Sequence, residues 1–160
     1  MADTYAKFDG VDGESKQDGA VDWIEIMSVG LSAYAPDSAD AGGGEGVGKP
    51  TYSPVSLMTI AGKHTPLIKK KFHDGKHFDK VEIQYLKQAS DGPAKWYRYI
   101  TFKHCFITGI GDSKSDGSLA NENITFKFEE IEEKYKIQGS DGTLENAGTN
   151  TYNNKTNVSS

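Results

Sequence analysis

The sequence has little sulfur, no long apolar run and no basic stripe. Among its 160 residues, Cys105 is the only cysteine, so no disulfide can form within the chain. No run of 18 apolar residues occurs, and we therefore expect no membrane-spanning helix and no membrane insertion. The net charge is −5, and the one basic run, residues 69–71, fits a solvated helix face. A nucleic-acid surface is therefore not expected.

The first ten residues also lack the apolar segment of a secretory signal peptide. We expect the chain to be made and folded in a cytoplasm and to leave it, if it does, folded or through a dedicated machine. Its length fits one domain with a substantial core.

Turn signals divide the chain into short segments. The 18 glycines include seven in Asp-Gly pairs, which favour tight turns because both residues tolerate positive φ. The pairs begin at Asp9, Asp12, Asp18, Asp74, Asp91, Asp116 and Asp141. Short segments with such punctuation are typical of a β-sandwich or β-barrel.

One stretch, about residues 65–74, has both helix start and helix stop signals. Thr65 is predicted to be the N-cap, Pro66 fits the first helical position, and Gly75 fits the left-handed position after the last turn. The sequence thus predicts a mainly β protein with one short flanking α-helix.

Two long strands are predicted with one face in the core. In the strand 21–34, the core face is predicted to be Trp23, Met27, Val29 and Leu31, and the opposite face becomes small at Ser28, Gly30 and Ser32. The strand 95–110 is half apolar on both faces, which predicts a core on one side and a partner or second sheet on the other. The apolar phase also changes around Glu129 and Glu130, which predicts a bulge or a bend between sheets.

Two segments lack regular apolar patterning. Residues 35–54 form a predicted extended loop, and a loop of that length in a compact domain is usually functional. Residues 139–160 are polar and are predicted to form a flexible tail, which leaves 1–138 as one barrel domain.

Chemical motifs are weak. The stretch from Gly43 to Lys49 matches most of a phosphate-binding loop, but Pro50 stands where Ser or Thr should bind magnesium. His73 and His77 have the spacing of two metal ligands on a helix, but Gly75 ends the helix between them. The run Glu129, Glu130, Glu132 and Glu133 fits a solvated face or a charged interface. No catalytic constellation, metal site or cofactor is predicted.

Five motifs in order resemble the haemolysin-coregulated protein (Hcp) family, the tube subunit of bacterial type VI secretion. They are Val11-Asp12-Gly13-Glu14-Ser15 with Trp23-Ile24-Glu25-Ile26, the glycine-rich loop, Thr65-Pro66 with Gly75-Lys76-His77-Phe78, Tyr97-Arg98-Tyr99 with Phe106-Ile107-Thr108-Gly109-Ile110, and Glu122-Asn123-Ile124 through Tyr135. The resemblance spans about residues 3–138.

This resemblance implies a β-barrel of two antiparallel sheets with one flanking helix, and a structural subunit without enzymatic activity. It also implies hexameric rings stacked into a tube, a contractile sheath, baseplate proteins, a trimeric spike, and small effectors carried in the lumen. The subunit would be assembled in the bacterial cytoplasm and then secreted by the machine without a signal peptide.

On this resemblance, three groups of residues are expected at assembly surfaces. The extended loop would contact a neighbouring subunit through Gly42, Gly43, Gly44, Gly46, Gly48, Lys49 and Tyr52. A sheet face at the subunit interface would present Tyr97, Tyr99 and Ile107, and the lumen would be lined by Ser28, Gly30 and Ser32.

Two alternatives stay open. A tail-tube protein of a phage or another contractile particle would have the same fold. A small-ligand-binding barrel or enzyme would use a pocket near His73, His77 and the glycine-rich loop.

Overall fold

In a computed structural model, the chain is described for residues 3–35, 49–88, 92–138, 144–156 and 158–159. Over these ranges, twelve elements follow in chain order: β1 (Thr4–Phe8), β2 (Ile24–Gly30), β3 (Ala33–Tyr34), β4 (Thr51–Tyr52), β5 (Val55–Ile60), α1 (Thr65–Asp74), β6 (Phe78–Lys87), β7 (Lys95–Ser113), β8 (Asn121–Lys127), β9 (Glu130–Gln138), β10 (Leu144–Asn153) and β11 (Val158–Ser159).

Six strands close into a barrel. They follow the spatial order β7-β6-β1-β2-β5-β8, and β8 pairs back onto β7. Strands β9, β10 and β11 extend the sheet outward from β7, and β3 and β4 form a separate two-stranded sheet. The predicted mainly β barrel with one helix is therefore confirmed. The division into two sheets is only approximate, because the 19-residue strand β7 runs through both.

Aromatic side chains fill the barrel. The rings of Phe8, Phe78, Phe102 and Phe126 are all essentially inaccessible to solvent. Phe8 contacts Phe78 and Phe126 at centroid distances of 5.3 and 6.0 Å, and Phe102 contacts Phe126 at 5.2 Å. These edge-on contacts come from four different strands, so the aromatic cluster holds the barrel wall together.

Helix α1 has the predicted bounds, and Gly75 takes the predicted left-handed conformation, with φ of 66°. The predicted N-cap is wrong: His64 occupies that position, without a side-chain cap. Thr65 instead uses its Oγ1 to accept a hydrogen bond from the Gly62 amide at 3.1 Å. The hydroxyl therefore tightens the turn before the helix and does not cap a free amide of its first turn.

The predicted core face of β2 is wrong in its first half. Ile24 and Ile26 are buried, whereas Met27 is 58% exposed. The pairing of β2 with β5 shifts register between Ile26 and Ser28, which marks a bulge. Beyond it the face reverses, and Val29 packs against the core as predicted.

Strand β7 changes phase in the same way. Lys103 and His104 are both exposed, and His104 has φ of 55°. After this irregularity Cys105 and Ile107 are buried and Phe106 is 40% exposed, which reverses the predicted alternation. Burial raises the pKa of the Cys105 thiol to about 12, so this cysteine is unreactive at neutral pH.

The predicted change of phase near Glu129 is confirmed. Strand β8 ends at Lys127 and pairs with β7, and β9 begins at Glu130 and pairs with another part of β7. Phe128 and Ile131, which have opposite parity, are both buried.

The prediction of a flexible segment after residue 138 is wrong for Leu144–Asn153, which forms β10 and pairs with β9 along most of its length. Its side chains are mainly polar and exposed, so hydrophobic alternation could not indicate a strand. Tyr152 is buried, and its hydroxyl donates to the Pro50 carbonyl at 2.9 Å. Residues 139–143 lie outside the described ranges, and the boundary of the barrel domain at 138 stays a prediction.

A close backbone contact fixes the loop between β1 and β2. The amide of Gly13 donates to the Asp22 carbonyl at 2.7 Å, and a Cβ at Gly13 would collide with the carbonyl of Trp23. This loop covers a second apolar cluster of Tyr5, Ala20 and Leu86 on the outside of the barrel.

Replacing Gly13 by alanine should therefore destabilise the protein, because either the loop or the start of β2 must move. We expect Gly13→Ala to lower the free energy of unfolding by about 1–3 kcal/mol, measured by urea denaturation. Gly111→Ala is the matched control, since a Cβ there meets nothing within 4 Å, and we expect a change within about 0.5 kcal/mol. Equal effects of the two substitutions would contradict the close contact.

Candidate assembly surfaces

The predicted extended loop starts and ends in a short ribbon. Strands β3 and β4 pair Ala33 with Tyr52 and Tyr34 with Thr51. We call residues 33–34 and 49–52 the loop base. The loop residues Gly42, Gly43, Gly44, Gly46 and Gly48 lie outside the described ranges.

Tyr52 fixes the loop base to the barrel. Its ring centroid lies 5.4 Å from that of Phe128 and 6.1 Å from that of Tyr152. Burial in this site, and secondarily the negative charge of Glu133, raise the pKa of Tyr52. The contacts of Tyr52 within the chain therefore orient the loop base, and Lys49 beside it is exposed.

Ser28, Gly30 and Ser32 are all exposed, and two of them belong to a wider surface of small residues. Gly30 pairs with Ser56 on β5, Ser56 with Thr125 on β8, and Thr125 with Gly109 on β7. The next row pairs Ser28, Met58, Asn123 and Gly111. We call these residues the small-residue face, and Ser32 is exposed beyond the end of β2. The small-residue face is free of charged side chains and is broader than the sequence alone indicated.

The predicted sheet face of Tyr97, Tyr99 and Ile107 does not exist as one surface. Ile107 is 8% exposed and belongs to the core. The pairing of β6 with β7 shifts register so that Tyr97 has no direct partner on β6. This bulge, and the irregularity at His104, send the three side chains to different surroundings.

Tyr99 packs on the outside of the barrel. Its ring lies 5.4 Å from Trp96 and 6.2 Å from Trp23, and its hydroxyl donates to the carboxylate of Glu82. The Lys136 ammonium lies 3.9 Å from the centroid of Trp96, a cation–π contact that links β9 to the same patch.

Tyr97 instead joins a tyrosine cluster that the sequence did not reveal. Its ring lies 6.1 Å from Tyr85 and 5.9 Å from Tyr135. The Arg98 guanidinium lies 5.1 Å from the centroid of Tyr85 and 3.2 Å from a carboxylate oxygen of Glu133. Burial raises the pKa of Tyr85, and the charge of Arg98 opposes that rise.

The exposed border of the tyrosine cluster is a candidate contact surface, because Tyr135 is 44% exposed and Ile137 is 52% exposed. The aromatic residues of β7 and β9 were visible in the sequence. They indicate a cluster only once the pairing of Arg98 with Tyr135 is known.

The acidic run of β9 is neutralised mainly within the chain. Glu130 pairs with Lys103 at 3.2 Å, Glu132 with Lys134 at 3.1 Å, and Glu133 with Arg98. These partly solvated pairs make the run a charged surface, in line with its predicted role.

The histidine pair does not form a metal centre in the described ranges, where no group of three or more His, Cys, Asp or Glu side chains is placed to hold a metal ion. His77 contacts Asp79 at 3.1 Å and its ring lies 4.3 Å from that of His104. In the same ranges, no helix has the length and hydrophobicity that a bilayer crossing needs.

Comparison with known proteins gives one consistent result. A family model described as "Type VI secretion system effector, Hcp" matches residues 5–135. Protein hcp1 of Pseudomonas aeruginosa is 25% identical over 141 residues, which are 88% of this chain and 86% of that protein. The "Major exported protein" of the same organism is 22% identical over 138 residues, 82% and 79% of the two chains. A solved structure described as a type six secretion system protein superposes with a TM-score of 0.89, at 25% identity and with 100% of both chains covered.

A substitution can distinguish a role of Ile107 in the core of the subunit from a role at a subunit interface. We expect Ile107→Ala to lower the free energy of unfolding of the isolated subunit by about 2–5 kcal/mol, because it leaves a cavity in the core. The same substitution at the half-exposed Ile137 should cost less than about 1 kcal/mol. Thermal and urea unfolding of both variants measure this difference, and an Ile107 variant as stable as the Ile137 variant would restore the predicted interface role.

Proposed function

Because the chain belongs to the Hcp family and is thus a tube subunit of a type VI secretion system, we propose that it forms hexameric rings that stack into the inner tube. The observation that carries this proposal is the extent of the family match, residues 5–135. It includes the closed barrel apart from Thr4 and ends where the pairing of β9 with β7 ends. The family resemblance read from the five motifs is confirmed, and the family is one of structural, exported proteins and not of enzymes.

A ring of identical subunits needs two different contact patches, since one copy must meet the next head to tail. The outer patch of Trp96 and Tyr99 and the exposed border of the tyrosine cluster are two such surfaces, both apolar and partly solvated. Aromatic side chains of this kind are enriched at interfaces because they bury large areas and keep a polar group at the edge. The loop base, with Lys49 and Tyr52, holds the extended loop that we propose reaches a neighbouring subunit or ring.

The small-residue face is the proposed wall of the lumen. Its side chains are uncharged and mostly small. They would give a hydrated surface that does not bind a folded cargo protein by charge and would leave the channel wide. We propose that small effector proteins travel there. On the same basis, the tube would be surrounded by a contractile sheath, assembled on a baseplate and tipped by a trimeric spike. It would be built in the bacterial cytoplasm and then exported, as the name of the "Major exported protein" indicates for that relative.

Rings should be visible directly. Purified protein should elute with a mass near six times the 17.4 kDa of the chain, and negative-stain electron microscopy should show six-fold rings, alone or stacked. A monomer at high concentration, with no ring at any concentration tested, would contradict self-assembly into a tube.

The lumen assignment can be tested by labelling Ser28→Cys with a maleimide-linked gold cluster. The native Cys105 thiol should not react, because it is buried and its pKa is raised to about 12. We expect gold density at the centre of the rings in electron micrographs. The unsubstituted protein is the control and should carry no gold, and gold at the outer rim of the variant would reverse the orientation of the small-residue face.

A further inference from the structure

A cleft of about 660 Å³ opens where β2 leaves β1 and joins β5. Its volume lies within the range of small-molecule sites in proteins. Three carboxylates line it, those of Asp3, Glu14 and Glu25, and its apolar lining includes Ile60 and the exposed Met27. We call this the acidic cleft. It is separate from the small-residue face and from both aromatic surfaces.

The carboxylates of the acidic cleft lack a cationic partner. Several other acidic side chains in the described ranges pair with Lys or Arg, as in Lys7–Asp12 and Arg98–Glu133. Neither Glu14 nor Glu25 makes an ion pair there, and Asp3 accepts only from the Thr4 hydroxyl at 3.1 Å. The nearby lysines in sequence, Lys16 and Lys63, make no ion pair with them either. A cleft lined by unpaired charges of one sign focuses the electrostatic field and attracts groups of the opposite charge.

A buried histidine lines the same cleft with one nitrogen unused. His64 is 3% exposed, and its Nε2 lies 3.0 Å from Oε1 of Glu122. In the tautomer in which Nε2 donates to the carboxylate of Glu122, Nδ1 is an acceptor. Nδ1 has no hydrogen-bond partner among the described residues.

Gly62 brings the histidine and a carboxylate together. A Cβ on Gly62 would lie 2.5 Å from Oε2 of Glu14 and 3.4 Å from Nδ1 of His64. A side chain at this position would force the carboxylate of Glu14 to move. The carboxylate of Glu14 and Nδ1 of His64 therefore lie beside the same small volume at Gly62.

We propose that the acidic cleft binds a primary ammonium group carried on an aliphatic chain, such as a lysine side chain or a free diamine. The ammonium supplies three donors and the positive charge that the carboxylates and Nδ1 lack. The methylene stem then covers Met27 and Ile60.

Methyl resonances of methionine provide a test that works on the full chain in any assembly state. In protein labelled at the methionine methyl groups, Nα-acetyl-lysine methylamide should shift the Met27 resonance in a saturable way and leave that of Met58, on the small-residue face, unchanged. Nα-acetyl-norleucine methylamide has nearly the same stem without the ammonium, and it should have little effect. No shift with the lysine compound, or an equal shift with the norleucine compound, would overturn the proposal.

Two matched variants test the carboxylates. Glu14→Gln should weaken binding of the lysine compound by about five- to tenfold, the loss expected for one partly solvated charge near the ammonium. Glu145→Gln makes the same change on the exposed strand β10 and should leave the affinity unaltered. Equal affinity of the Glu14 variant and the unsubstituted protein would also overturn the proposal.

The mass of the assembly in solution distinguishes two sources of the ammonium group, a lysine of a second copy and a free amine. If a lysine of a second copy occupies the acidic cleft, the lysine compound should lower the mass of the assembly in solution while it shifts Met27. If the ligand is a free amine, Met27 should shift at constant mass.

Discussion

Strand β7 is the constraint on which the whole fold depends. It pairs with β6 on one side, and on the other side with β9 over residues 98–103 and with β8 over residues 106–113. His104, with φ of 55°, lies between these two pairings, and the pairing of β7 with β8 closes the barrel. The fully buried Phe102, just before His104, contacts Phe126 of β8 across the closure.

Local signals in the sequence were strong enough to predict some elements of the fold and too weak to predict others. The helix and its end were predictable, because Pro66 and Gly75 act through backbone geometry that depends on no distant contact, whereas its N-cap was not. The bend near Glu129 was predictable because two apolar phases meet there. The core face of β2 was not, since alternation shows that two faces differ but does not show where a bulge exchanges them.

The candidate assembly surfaces differ in the same respect. Ser28 and Gly30 could be assigned to one exposed face from their alternation along the strand. The predicted face of Tyr97, Tyr99 and Ile107 failed, because two irregularities separate these residues within one strand. The tyrosine cluster and the acidic cleft could not be predicted at all. Each brings together residues from strands or loops far apart in the sequence, and only the pairing of the strands defines them.

Barrel closure also limits how copies of this chain can associate. Each of the six barrel strands has a neighbour on both sides, so within the described ranges the free sheet edges belong to β3, β4, β10 and β11. Strand β10 presents a polar, solvated edge, which disfavours uncontrolled pairing of sheets. We expect the proposed ring to form through side-chain surfaces and the loop base. A contact made by side chains fixes orientation through shape and charge, as a closed ring of identical copies requires.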